Sequence, residues 1–368
     1  MTYPQMRLDA AALDHNIEAM AAWCADRGVE LAPHVKTTMS APIVARQMAA
    51  GAAAITVATV QQCEIVFAWG HRRVLIANEV VDVHALARLR ALLERHQDAR
   101  IACFVDSPAG VAIAGEVFSA ARQLSVLLDV GTPGGRSGVR DAGEAHELAH
   151  RIHDHPVLRL VGVAGYEGVA GNDRDPATLT AVDEHCRRVG DVFLANAGLY
   201  ECDRPVLSMG GSVFPDRVVL ALPDPGRIPG RVVLLRSGCY VTHDHGVYAE
   251  AGPPLGLTAA ATVRAQVLST PEPGVAVVGA GKRELPHDAG MPILLGHPGT
   301  VSAMYDHHTV LTGTSGLRVS DVAEFGISHP CSLFARWDEF EVTLDGRRIA
   351  TWTTEFRAQP HSTRLPDG

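Results

Sequence analysis

A chain of 368 residues with 47% hydrophobic and 20% charged content has the length for two domains and a large core. A net charge of −9 excludes the basic face that a nucleic acid or an anionic membrane would require. No apolar run reaches the roughly 18 residues of a membrane helix. The first residues lack a charged region followed by an apolar stretch, so no signal peptide is read. The cysteines Cys24, Cys63, Cys103, Cys186, Cys202, Cys239 and Cys331 are odd in number and scattered, with no CxxC. They are read as reduced thiols of a cytoplasmic protein.

In chain order, residues 8–27 carry apolar positions at helical spacing. Eight short apolar strands follow, at 31–36, 54–59, 73–79, 101–106, 124–130, 160–165, 205–209 and 232–236. Helical stretches are expected at 42–50, 61–69, 84–96, 108–121, 141–153 and 176–197. Strands that are apolar almost throughout are buried on both faces, as in a parallel sheet. Eight such units predict a (β/α)8 TIM-type barrel, with a doubly wound open sheet as the alternative. From about 240 the texture changes. The segments 262–268, 275–279, 310–312, 341–344 and 349–353 are β-like and joined by loops rich in Pro, Gly and His. The expected division is a barrel over 8–238, a β-rich domain over 239–357 that includes residues 1–7, and a flexible tail over 358–368.

The lysines carry the first chemical signal. Of 32 Lys and Arg residues only Lys36 and Lys282 are lysines. Where positive charge alone is needed, this chain uses Arg, which stays protonated and forms no imine. Lys36 ends the apolar stretch Leu31-Ala-Pro-His-Val-Lys36. Burial there favours a nucleophilic, Schiff-base lysine over an ordinary surface one. Gly134-Gly-Arg136-Ser-Gly-Val139 follows the fifth strand and Gly210-Gly-Ser212 the seventh; such glycines allow close backbone approach to a ligand. His329-Pro-Cys331 can chelate one divalent metal and leave its other positions open. Thr242-His-Asp-His245 and Tyr305-Asp-His-His308 are further His/Asp clusters.

Pro33-His-Val-Lys36-Thr37, Gly134 to Val139, Gly165-Tyr166-Glu-Gly168, Gly238-Cys-Tyr240-Val and His329-Pro-Cys331 occur in this order. Together they resemble the fold-type III pyridoxal-phosphate enzymes of the D-serine dehydratase and D-threonine aldolase family, relatives of alanine racemase with an added metal site. The resemblance spans about residues 5 to 355. It implies an alanine-racemase-type barrel plus a β domain, in a homodimer. It implies that Lys36 holds pyridoxal 5'-phosphate, that Arg136 and Tyr166 border it, and that Gly211, Ser212 and Tyr240 lie on its phosphate side. It implies a divalent metal on His329 and Cys331 and a small D-amino acid substrate. His-x-Cys resembles the dehydratases and suits zinc, whereas the aldolases more often carry His-x-Asp, suited to manganese or magnesium. The expected activity is therefore a lyase that dehydrates a β-hydroxy D-amino acid to a keto acid and ammonia. The alternative is aldol cleavage, with His308 as its candidate base; a racemase or a non-catalytic cofactor binder is more remote. Two departures bear on substrate choice: Val169 stands where many relatives have His, and Gly210-Gly-Ser-Val-Phe-Pro215 replaces a Gly-Ser-Thr-Pro type of loop.

Overall fold

The computed structural model describes residues 2–221 and 228–357; the expected tail lies outside them. The eight apolar stretches form parallel strands β2 (Glu30–Leu31), β3 (Ile55–Val57), β4 (Arg73–Glu79), β5 (Arg100–Val105), β6 (Leu124–Val130), β7 (Leu158–Gly165), β8 (Val206–Met209) and β9 (Val232–Leu235). Their order is β2-β9-β8-β7-β6-β5-β4-β3. The ends meet through a parallel bridge between His34 and Thr56. Ala53 N–H donates to Leu31 O at 2.8 Å and Thr56 N–H to Pro33 O at 3.0 Å along the same seam. The sheet therefore closes into a barrel, and the open-sheet alternative falls.

Alternation along the strands sorts side chains between two cores. Ala32, Leu75, Phe104, Leu127, Ala164, Val232 and Leu234 form one buried cluster inside the barrel. Their neighbours, such as Val126 and Leu128 beside Leu127, join the larger core beneath the outer helices. Those helices start where a short polar side chain meets free backbone N–H groups. Asp9 caps α1 (Ala10–Asp26), Thr59 caps α3 (Val60–Ala68), Asp82 caps α4 (Val83–Arg95), Ser107 caps α5 (Pro108–Val117) and Asp141 caps α6 (Ala142–His153). The remaining helices are α2 (Ala41–Ala49), α7 (Pro176–Ala195), α8 (Pro215–Ala221) and α9 (Val247–Ala251).

Two local expectations change. The first helix begins at Ala10, because Gln5–Asp9 forms strand β1. The strand expected over 31–36 ends at Leu31, and Val35–Thr37 is a 3-10 turn, so Lys36 rides on a turn beyond the strand.

The second sheet holds β1 with β10 (Ala261–Ser269), β11 (Val275–Val278), β12 (Ile293–Leu295), β13 (Thr300–Met304), β14 (Thr309–Thr312), β15 (Val322–Gly326), β16 (Glu339–Leu344) and β17 (Arg347–Thr353). Its main path is β13-β14-β11-β10-β1-β16-β17, with β15 pairing β10 and β12. Strand β1 lies inside this path, antiparallel to β10 and parallel to β16. In chain order the barrel is thus inserted between two neighbouring strands of the other sheet. Asn16 on α1 ties the two parts. Its amide donates to Val241 O at 3.2 Å and Thr258 O at 2.7 Å and accepts from Thr258 N–H at 2.8 Å, fully buried.

Asn16→Ala leaves the buried Val241 carbonyl without this partner and removes both bonds to Thr258. It should lower stability by roughly 1–3 kcal/mol for each group that water cannot reach, read as a lower denaturant midpoint at unchanged slope. A second expectation concerns acid. His185 lies buried between α7 and β7, where Gly165 leaves room for it; burial, with Arg188 and Arg140, pushes it from 6.5 down to about 4. Its unfolded form binds the proton first, so stability is whole above pH 6.5 and falls as pH drops towards about 4. His185→Leu should flatten that part of the thermal-stability profile.

Candidate active site

All eight barrel strands contribute to one cavity of about 340 Å³ at their C-terminal ends. In a barrel of this type that end is where chemistry is done. His34, Lys36 and Thr37 come from the turn after β2, and Ala58 and Asn78 from the ends of β3 and β4. Phe104 and Asp129 come from β5 and β6, with Arg136 and Ser137 on the following loop. Tyr166 follows β7, Gly210 to Ser212 follow β8, and Arg236, Gly238 and Cys239 follow β9. Tyr248 and Cys331 close the cavity from beyond the barrel. Lys36 is half-buried on this wall, whereas Lys282 is exposed on a surface turn.

Backbone contacts fix the lysine turn. His34 N–H donates to Ser237 O at 3.2 Å. Gly238 packs so closely that a Cβ there would lie 2.5 Å from the His34 carbonyl oxygen. Ser212 Oγ accepts from the N–H groups of Gly238 at 3.1 Å and Tyr240 at 3.2 Å. Backbone donors that converge on one oxygen also suit an anionic oxygen. Glu167, fully buried, accepts from Gly210 N–H at 3.1 Å and Gly211 N–H at 2.6 Å and pins the loop after β8.

Positive charge is fixed around the cavity. Arg236 is buried, donates to Ser208 Oγ and Gly165 O, both at 2.7 Å, and lies 5.3 Å over the Phe104 ring. Burial lowers its pKa while the charges of Glu167 and Asp129 oppose that. Arg136 stacks 4.5 Å over the ring of Tyr166. Burial and Glu167 push the Tyr166 phenol up to about 12, so it stays protonated. Ser137 Oγ donates to Asp129 Oδ2 at 2.9 Å and anchors the loop that carries Arg136. Burial, Lys36 and Arg236 hold His34 well below its usual range, so its ring is neutral. Its Nδ1 is buried and has no protein partner. A half-buried lysine, fixed cations, convergent N–H donors and an unsatisfied imidazole nitrogen fit an anionic carbonyl cofactor bound through Lys36.

Beside Lys36 stands the one group of three metal-capable side chains found among the described residues. The ligand atoms of Cys239, His329 and Cys331 all lie within 4.8 Å of one another. The two sulfurs are 3.0 Å apart, and Thr37 Oγ1 is 3.7 Å from Cys239 Sγ. His329 Nδ1 is 3.0 Å from Asp288 Oδ2, and Ser332 Oγ donates to Asp288 Oδ1 at 2.7 Å. A carboxylate on one imidazole nitrogen aims the other at a metal, the usual outer support of such sites. The Cys239 thiol's hydrogen bond brings Cys331 down to about 4; burial opposes this, and His329 and Lys36 add to it. Burial works against charge on His329, but Cys331 and Asp288 outweigh it and raise it to about 9. The pair thus rests as thiolate and imidazolium, and a metal would displace the imidazolium proton.

Lys36, Arg136, Tyr166, Gly211, Ser212 and Cys331 line the cavity, and His329 stands behind Cys331. Tyr240 and His308 are placed elsewhere. The Tyr240 side chain turns into the barrel wall, where its hydroxyl accepts from Gln47 Nε2 at 2.9 Å, and only its backbone N–H reaches Ser212. His308 is exposed on the turn before β14 and does not border the cavity of its own chain. Of the other clusters, Asp244 accepts from Gly246 N–H and Tyr248 N–H, both at 2.9 Å, and orients Tyr248 at the start of α9. The sequence reading passed over Arg236, Cys239, Glu167 and Tyr248. Arg236 was legible as a charge closing a buried strand; Cys239 was not, since its thiol partner is 92 residues away.

Residues 8–213 match the family model for the N-terminal domain of alanine racemase, and residues 260–343 match a serine dehydratase domain. A D-threonine aldolase of Arthrobacter sp. is 29% identical, covering 96% of this chain and 92% of its own. The D-threo-3-hydroxyaspartate dehydratase of Delftia sp. (strain HT23) is also 29% identical, over 95% and 96%. Its solved structure superposes with a TM-score of 0.77, at 26% identity over 96% and 97% of the two chains. A solved form of that dehydratase with a cysteine replaced by alanine is metal-free. The D-threonine aldolase of Filomicrobium marinum superposes at a TM-score of 0.83, with 27% identity over 96% and 94%. The chain belongs to the alanine racemase N-terminal domain family, in the branch that joins this barrel to a serine dehydratase domain and includes the D-serine dehydratases and D-threonine aldolases its motifs resemble.

Proposed function

We propose that this protein is a lyase for β-hydroxy D-amino acids that uses pyridoxal 5'-phosphate and a divalent metal, with dehydration to a keto acid and ammonia as its reaction. One observation carries the reading. The cavity that holds Lys36 also receives Cys331 of the thiol–imidazole cluster, so the amine that would hold the cofactor and the side chains that would hold a metal face one space. The proposed units are the barrel over 8–238, which carries the cofactor, and 239–357 with 1–7, which carries the metal ligands. A homodimer is part of the reading.

When bound, pyridoxal phosphate supplies the electron sink that makes the Cα proton acidic. Lys36 would hold it, Arg136 and Tyr166 would border it, and Gly211, Ser212 and the Tyr240 N–H would face its phosphate. His329 and Cys331 would bind the divalent metal, whose Lewis acidity promotes departure of a β-hydroxyl. Lys36 Nζ would take the Cα proton. Asp288 keeps His329 Nε2 turned towards the thiols through the bond to Nδ1. Arg236 and Arg136 keep the cavity attractive to a carboxylate. Cys331 supports dehydration over aldol cleavage, because a thiolate and an imidazole favour zinc.

The test is product analysis on the full chain reconstituted with pyridoxal phosphate and zinc, offered D-serine and then D-threonine. Keto acid and ammonia are expected, abolished by a chelator and restored by zinc. Glycine and an aldehyde would replace the dehydratase reading with an aldolase. Lys36→Ala should remove the cofactor's visible absorption band and cut turnover by at least roughly 10²-fold, the scale of a lost proton-transfer group. An active variant without added amine would contradict the assignment of Lys36.

A further inference from the structure

The geometry points to Cys239 as a third protein ligand of the metal, making a two-thiolate, one-imidazole set with its fourth position open to the Lys36 cavity. This rests on the metal-dependent reading above. The motif resemblance provides only His329 and Cys331; Cys239 enters on the turn after β9, just beyond the last barrel strand.

Three observations carry it. The ligand atoms of Cys239, His329 and Cys331 lie within 4.8 Å of one another, as one ion requires. The two sulfurs are 3.0 Å apart and both thiols are free. Around a tetrahedral zinc with Zn–S near 2.3 Å, two sulfurs sit about 3.8 Å apart, so a small outward shift admits the ion. Cys239 is also held in place. Gly238 is packed against His34, Thr37 Oγ1 lies 3.7 Å from the sulfur, and Asp288 and Ser332 hold the histidine opposite. Cys239 and Cys331 both line the cavity, so the vacant position faces the substrate.

The donor set decides the metal. Two thiolates balance the charge of a dication, whereas one leaves a net positive site. Soft sulfur donors favour zinc or cobalt over magnesium and manganese. Loading the site would send the protons its ligands still hold to solvent, with no change of oxidation state.

The experiment uses the full chain stripped of metal and titrated with Co²⁺. Wild type should show near-ultraviolet sulfur-to-cobalt absorption from two thiolates, and Cys239→Ser should keep about half of it. The same variant should weaken zinc binding by more than about tenfold, the scale at which loss of an outer partner already registers. Asp288→Asn should weaken zinc binding by about tenfold and leave the sulfur bands intact. X-ray absorption at the zinc edge of the loaded wild type, which depends on no variant folding, should count two sulfurs at about 2.3 Å. One sulfur per zinc, or an unchanged Cys239→Ser spectrum, would overturn the inference and leave the lyase proposal standing on His329 and Cys331. A Cys239–Cys331 disulfide in the metal-binding form, found by thiol counting, would overturn it as well. Metal binding indifferent to both His329→Ala and Cys331→Ser would overturn the inference and the metal-dependent lyase together.

Discussion

The contact on which the rest of the site depends is between two turns at the barrel seam. Gly238, after the last strand, lies so close to the His34 carbonyl that no side chain fits between them. The same seam bonds His34 N–H to Ser237 O and bridges His34 to Thr56. A barrel closed there brings the first and last strand ends side by side. Lys36 rides on one turn and Cys239 on the other. A nucleophilic amine and a metal-capable thiol thus become neighbours through closure of the sheet, although 202 residues separate Thr37 from the Cys239 sulfur it touches.

Around this seam the chain distributes charge with little redundancy. Burying an ion is costly unless it is paired and hydrogen-bonded. Arg236 meets that condition with Ser208, Gly165 and the nearby Glu167, and Glu167 meets it with two backbone N–H groups. The Tyr166 ring carries Arg136. These pairs leave the cavity polar and rigid. His34 Nδ1 is buried there without a protein partner, which leaves it capacity for a ligand.

The repeating core was legible in the sequence, and the crossings between distant segments were not. Eight apolar strands and the helices between them follow from period and capping, because burial on two faces imposes runs such as Leu124–Val130. The lysine stood out by composition, and His329-Pro-Cys331 by spacing. The end of strand β1, Leu8 and Asp9, was read as the start of a helix, since Leu8 fits either period. Strands β12, β13 and β15 were missed because at three to five residues they are too short for a period of two to stand out. Tyr240 was read from its motif as a cofactor contact, but a residue's neighbours in sequence do not fix which way its ring turns. Cys239 was hidden because metal spacing rules describe ligands on one segment, and this cluster draws on two.

Whether the barrel presents Lys36 to a carbonyl cofactor is read directly by one measurement. The purified protein, loaded with pyridoxal phosphate, is reduced with borohydride, digested and mapped by mass spectrometry. With only two lysines in the chain, the outcome is nearly binary. The account predicts the pyridoxyl mass on the peptide carrying Lys36 and none on Lys282. Labelling of Lys282 alone, or of neither lysine, would contradict it.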